Sequence, residues 1–308
     1  MIDALCQNST LQILICEPLS YAFMQHALAA VLLLGVVTGV VGAFVVVRGM
    51  AFLADALGHA ILPGVAVAYL AGGVHGPLLL GAMAAGGITA LVIGFFTRGG
   101  KLREDTAIGI VFTGALALGL AILSLSKATA IDLEEFLVGN VLAVSSSDLV
   151  LILAVGAVIL VPVLALYKEL LIISFDPALG AALQYPIEGL RYLLMVLLAM
   201  TAVMAIQAVG VILIAAMMVT PAATAYLLVR RMHWMMLLGS LISCTAGLVG
   251  VYLSWILSVV YHLSIAPSAA IVLTMTLFFA LAYLFAPKRG AVWAYLQQRQ
   301  AEHSQTPA

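Results

Sequence analysis

Charge is what this chain has least of: 12 Lys and Arg and 13 Asp and Glu make up 8% of its 308 residues. Soluble domains carry about 25%. With 65% hydrophobic residues and a mean hydropathy of +1.24, a soluble fold is excluded and a polytopic membrane protein is expected. No basic run of the kind that meets nucleic acid occurs. Cysteine is scarce too. Cys6, Cys16 and Cys244 show no CxxC or Cys/His metal spacing. They read as free thiols, and a Cys6–Cys16 pair would require an extracytoplasmic N-terminus. No Lys or Arg precedes Arg48, so the positively charged start of a signal peptide is missing and the first hydrophobic helix is expected to be retained. A G-x-x-x-x-G-K-[ST] phosphate loop is absent, which excludes ATP binding in the usual manner.

What is present is a series of long apolar runs. Residues 1–21 form a polar-sprinkled lead with Asn8, Ser9, Glu17 and Pro18, too broken to span a bilayer. The first full span runs from about His26 to Val47, near the ~20 residues that crossing needs. It contains Gly35-Val-Val-Thr-Gly39, a small-xxx-small pattern suited to close helix packing. Further spans are expected near Met50–Ala71, Pro77–Phe96, Thr106–Leu125 and Leu149–Tyr167. Residues 192–229 hold no charge, and that run is too long for one helix. Gln207-Ala-Val-Gly210 reads as the turn that splits it. Spans near Met235–Leu257 and Ala269–Phe285 complete the series, and residues 290–308 form a solvated tail.

Basic residues concentrate in cytoplasmic loops. With nine spans and the N-terminus outside, eleven of the twelve Lys and Arg fall inside and only Lys127 falls outside. Eight spans would split them six and six. Nine spans, with the C-terminus cytoplasmic, are therefore expected.

One stretch stands out from the apolar background. Asp55-Ala-Leu-Gly-His59-Ala-Ile-Leu-Pro63-Gly64 carries the only Asp, Glu, Lys or Arg between Gly49 and Thr97. A carboxylate at membrane depth costs about 2.5–3.5 kcal/mol on insertion scales, so it faces the protein interior or a water-filled cavity. Positions four apart share a helix face, which puts His59 one turn above Asp55. A carboxylate oxygen and an imidazole nitrogen there can ligate a divalent transition metal. The same pair could instead hydrogen-bond within the bundle and hold helices together. Pro63 and Gly64 should bend or end the helix, a candidate gate. A lone intramembrane acid is not the array that a proton relay needs, although Asp55 could serve as the coupling carboxylate of an ion-gradient-driven transporter.

This stretch resembles the signature of the ABC-type permeases that import manganese, zinc or iron. The resemblance implies that Asp55 and His59 line the path as metal ligands. The family more often has Ser where this chain has Gly58. Four more blocks extend the likeness over roughly residues 20–285: Asp105-Thr-Ala-Ile-Gly-Ile-Val-Phe112, Phe136-Leu-Val-Gly-Asn140, Gln207-Ala-Val-Gly-Val-Ile-Leu213 and Thr220-Pro-Ala-Ala-Thr-Ala225. Between residues 168 and 191 lies Phe175-Asp176-Pro177-Ala178-Leu179, which in that family begins a short helix docking into a cleft of the ATPase. Asp176 can cap such a helix and Pro177 suits its first position. Ala178, Leu179, Ala181, Ala182 and Leu183 would give it a small apolar face. The family often has Gly where Gln184 stands.

The expectation is an all-α, polytopic single transmembrane domain over 1–308, similar to type II ABC importer permeases. It is a transport subunit rather than an enzyme, in a bacterial cytoplasmic membrane, moving Mn2+, Zn2+ or Fe2+ with manganese favoured. The resemblance implies a second copy of the chain, two cytoplasmic subunits that bind ATP and Mg2+, and an extracytoplasmic metal-binding protein. Tyr261 and His262, in the extracytoplasmic turn near Pro267, could touch a metal-delivery protein but, like His26, read as ordinarily solvated; His75, Glu134 and Glu135 could attract cations outside by weak electrostatics only.

Overall fold

In hydrocarbon every backbone N–H and C=O must be paired internally, which leaves helices as the solution for apolar runs of this length. The computed structural model describes residues 17–73, 77–125, 139, 141–263 and 265–286. Cys6, Cys16, His75, Lys127, Glu134, Glu135, most of the 136–140 block, most of the 1–21 lead and the 290–308 tail lie outside the described residues. After a short turn of helix at Glu17–Ser20, the elements are α1 Ala22–Val47, α2 Leu53–Ala60, α3 Leu62–Gly72, α4 Leu78–Thr97 and α5 Glu104–Leu125. They continue as α6 Ser146–Ala165, α7 Tyr167–Phe175, α8 Pro177–Ala182, α9 Ile187–Val209, α10 Val211–Leu228, α11 Met232–Tyr261 and α12 Pro267–Phe285. Counting α2 and α3 as one crossing, nine helices among the described residues are long and apolar enough to cross a membrane.

One boundary moved and one fell where expected, each for an identifiable reason. The fifth span begins at Ser146 rather than Leu149 because Ser145 and Asp148 form a reciprocal capping box. The charge-free run 192–229 breaks at Gly210, which has φ 86° and ψ 166°, a conformation essentially restricted to glycine.

α1 is the centre of the bundle, packed by α11, α10, α6 and α9. Its faces are glycine-lined where neighbours come closest. A Cβ on Gly39 would run into the Ser240 backbone of α11, and one on Gly42 into the Met218 carbonyl of α10. α5 and α6 lie at the periphery and leave large apolar side chains such as Ile110, Leu118, Val150 and Val161 exposed, as expected of surfaces meeting lipid or another apolar chain.

One end of the bundle is basic. Arg48 caps α1, Glu104 opens α5 and Arg191 lies in the first turns of α9. Arg48 Nη2 donates to Glu104 Oε1, Arg191 Nη2 lies 3.6 Å from the same oxygen, and Arg191 Nη1 donates to the Thr97 carbonyl at 3.1 Å. The Arg48 side chain is 6% exposed. One carboxylate thus ties three helix ends. Glu104→Gln leaves a buried guanidinium uncompensated and should cost about 3 kcal/mol, the low end for stripping one partner from a buried pair. Thermal unfolding in detergent measures it: a clear drop in Tm is expected, partly restored by adding Arg48→Leu, and an unchanged Tm would show that the cluster is not structural.

Candidate functional site

α2 owes its helix to eight residues with no break among them, and it is packed by α4, α5, α9 and α10. Leu53, Ala54, Ala56, Leu57, Gly58 and Ala60 are buried. The two residues of α2 that are not buried are Asp55 and His59. Sequence spacing put them on one face, and the packing leaves only that face partly exposed. Both are half-buried.

The neighbours explain the placement. A Cβ on Gly58 would lie 2.6 Å from Cγ1 of Val211, so the absent side chain lets α2 seat against the first residue of α10. The α9–α10 break at Gly210 therefore adjoins the site. On the other side Phe112 of α5 stands with its ring centroid 5.7 Å from that of His59 and 5.9 Å from that of Phe52, edge-on to the latter. Phe112 was visible in the sequence as part of a family block, but nothing in the spacing within one helix predicts a contact between two.

Pro63 is the second residue of α3. It has no N–H to offer the His59 carbonyl, so the α2 ladder stops there, and the chain passes through Ile61 at φ −78° and ψ −14° into α3. The expected break is present. Gly64 does a different job as well: a Cβ there would strike the Gly81 carbonyl of α4, and Gly81 in turn abuts Gly64. Backbone meets backbone at this pair. Gly119 of α5 closes over Leu62 and Pro63 in the same way.

One chain brings two metal-capable donors together here. Among the described residues no group of three or more His, Cys, Asp or Glu side chains converges. Carboxylate plus imidazole suits Mn2+, Fe2+ or Zn2+, but two donors from one chain leave most of a coordination shell to water or to another chain.

At the basic end, α7 and α8 form a bent pair. Asp176 caps α8, its Oδ1 accepting from the Leu179 N–H at 3.0 Å, with Pro177 as the first helical residue. Phe175, Ala178, Leu179 and Leu183 are exposed, whereas Gly180 is buried against Ile172, Ile173 and Ile187. α8 therefore presents an uncovered apolar face beyond its own chain. Gln184 sits at φ 61°, the left-handed conformation in which glycine is favoured, which accounts for the Gly that the related pattern often has there. His262 also adopts a left-handed conformation, as the cap that ends α11, and is exposed. His26 is half-buried on α1.

Known proteins resemble the chain along nearly all of this architecture. A manganese transport system membrane protein of Halalkalibacterium halodurans is 42% identical over 284 residues, spanning 92% of this chain and 94% of that one. A manganese import system permease of Streptococcus gordonii is 38% identical over 269 residues, 87% and 93% of the two chains. A solved chain of PsaBC from Streptococcus pneumoniae, in complex with Fab, superposes with a TM-score of 0.76 at 37% identity, covering 92% of this chain and 99% of that one. The pattern of the ABC 3 transport family matches residues 20–286. The chain belongs to the ABC 3 transport family, as a membrane permease subunit rather than an enzyme.

Proposed function

We propose that the chain is the membrane-spanning subunit of an ATP-driven importer that carries manganese into the cytoplasm of a bacterium. The observation that carries this reading is the α2 face on which Asp55 and His59 are the only residues of that helix not buried. Relatives described as manganese transport and import permeases supply the metal. Zinc and iron would suit the same donors. An ion-gradient mechanism through Asp55 is not favoured, because the family is one of ABC transport chains.

Two copies of the chain would face each other across a two-fold axis, and each would present its α2 face to the other. The pore then gains two carboxylates and two imidazoles. Such a set replaces part of the hydration shell and offsets the cost of bringing a doubly charged ion into a low dielectric. It must also bind weakly enough to let go. Mn2+ stands lowest in the divalent affinity order, which favours release. Pro63 and Gly64 would lie at the hinge of this path, where the ladder is already interrupted and α3 rides directly on α4. The capped α8 helix, with Phe175, Leu179 and Leu183 exposed, would seat in a cleft of each cytoplasmic ATPase, so that ATP binding and hydrolysis move the basic end of the bundle. An extracytoplasmic metal-binding protein would deliver the ion at the opposite end. The N-terminus would lie outside and the C-terminus inside, following the basic loops.

In proteoliposomes holding the permease with its ATPase, Asp55→Asn removes both negative charges from the dimer and His59→Ala removes both nitrogens. Each is expected to cut ATP-dependent manganese uptake by at least about tenfold, the equivalent of 1.4 kcal/mol, with assembly intact. Wild-type rates in both variants would make the pair structural and refute the site.

The α8 cap has its own test. Asp176→Ala with Pro177→Gly loses about 1 kcal/mol of capping and preorganisation, and the ATPase should dissociate more readily while membrane insertion is unchanged. Normal coupling of hydrolysis to uptake in that double variant would remove α8 from the docking role. Orientation is read by impermeant thiol labelling of a cysteine-free chain. Ala130→Cys is expected to react from outside and Gly100→Cys is not; the reverse pattern would invert the topology.

A further inference from the structure

We infer that the permease carries a binding site for one anionic glycerophospholipid in the groove between α1, α6 and α11, at the basic end of the bundle. The inference requires only that the chain spans a membrane and is independent of what it transports.

An open cavity of about 590 Å³ runs there. Val36 and Val40 of α1 form one wall and Leu164 of α6 the end. On α11 the lining residues are His233, Met236, Leu237, Ser240, Leu241 and Cys244. They recur at three- and four-residue spacing, which is one continuous helix face. From His233 to Cys244 that face extends about 16 Å at the helical rise. One leaflet of a hydrocarbon core of roughly 30 Å is about 15 Å deep. The groove thus has the length of a single acyl chain's path from the interface to the midplane, and its lining is almost wholly apolar.

Its mouth has the composition of a headgroup site. Tyr167, at the start of α7, lines the groove, and its phenol oxygen takes a hydrogen bond from the backbone of His233. Trp234 is half exposed beside His233, with ring centroids 5.7 Å apart, and amphipathic rings of this kind sit at the headgroup level. Arg230 and Arg231 immediately precede α11, and Lys168 follows Tyr167; all three are exposed. Glu169 is the one acid adjoining them on α7, and none occurs between Glu188 and Glu302. Three cations against one acid, above a leaflet-deep apolar groove, select a negatively charged headgroup over a zwitterionic one. Basic pockets between transmembrane helices on the cytoplasmic side bind such lipids by this chemistry.

The probe is palmitoyl-oleoyl phosphatidylglycerol, mixed with the matching phosphatidylethanolamine. The full-length permease is released from nanodiscs of that mixture and weighed by native mass spectrometry. The wild type is expected to retain one phosphatidylglycerol per chain in preference to phosphatidylethanolamine. Lys168→Gln and Arg230→Gln should each lower that occupancy about fivefold. Leu241→Trp should lower it by filling the groove with every charge still in place, and Lys101→Gln, a basic loop residue away from the groove, should leave it unchanged. Equal retention of the two lipids, equal loss in the Lys101 control, or oxidative cross-linking of Cys244 to a second protein chain would each overturn the assignment. The last would show that protein, not lipid, occupies the groove.

Discussion

Helices surrounded by lipid gain little from burying apolar side chains against one another, because the lipid is as apolar as they are. What holds this bundle together is close backbone approach, and it is available only where side chains are absent. Gly39 and Gly42 bring α1 against α11 and α10, Gly64 and Gly81 bring α3 against α4, and Gly250 brings α11 against α12. Polar ties supplement this at the basic end, where Glu104 joins Arg48 and Arg191. The site depends on the same constraint. Gly58 lets α2 press onto Val211, and that contact, with the packing of α4, α5 and α9, buries every residue of α2 except Asp55 and His59.

The partly exposed side carries the two residues proposed to hold the ion. A carboxylate and an imidazole on a half-buried stripe are neither fully solvated nor sealed in the core. Such a position is costly within one chain, and under the proposed function a second chain would complete the shell. The broken ladder at Pro63 places a point of weak backbone bonding one residue beyond the turn that follows His59. The proposed ligands and the interrupted ladder are thereby adjacent in sequence. At the basic end, α8 is capped by Asp176 and exposes apolar side chains that its own chain does not cover.

Much of this was legible in the sequence, for physical reasons that differ by feature. Apolar run length marked the crossings, because bilayer thickness fixes how many residues are needed. Gly210 and Pro63 announced their breaks, since backbone chemistry at those residues acts locally. Asp176-Pro177 announced its cap for the same reason, and Asp55 with His59 showed their shared face through helical periodicity. Contacts between helices were not legible. Nothing along the chain pairs Arg48 with Glu104 and Arg191, sets Phe112 beside His59, or identifies Gly64 as the partner of Gly81. Those depend on how helices far apart in sequence lie side by side. The Ser145–Asp148 capping box was readable in principle, but hydrophobicity alone placed the start of α6 three residues late.

The central claim is that Asp55 and His59 from two chains share one ion. Electron paramagnetic resonance of Mn2+ titrated into the purified permease–ATPase complex tests it directly, because the signal counts bound ions and its nitrogen modulation reports imidazole ligation. One bound Mn2+ per two permease chains is expected, with nitrogen modulation that disappears in His59→Ala. One ion per chain, or a bound ion with no nitrogen coupling in the wild type, would contradict it.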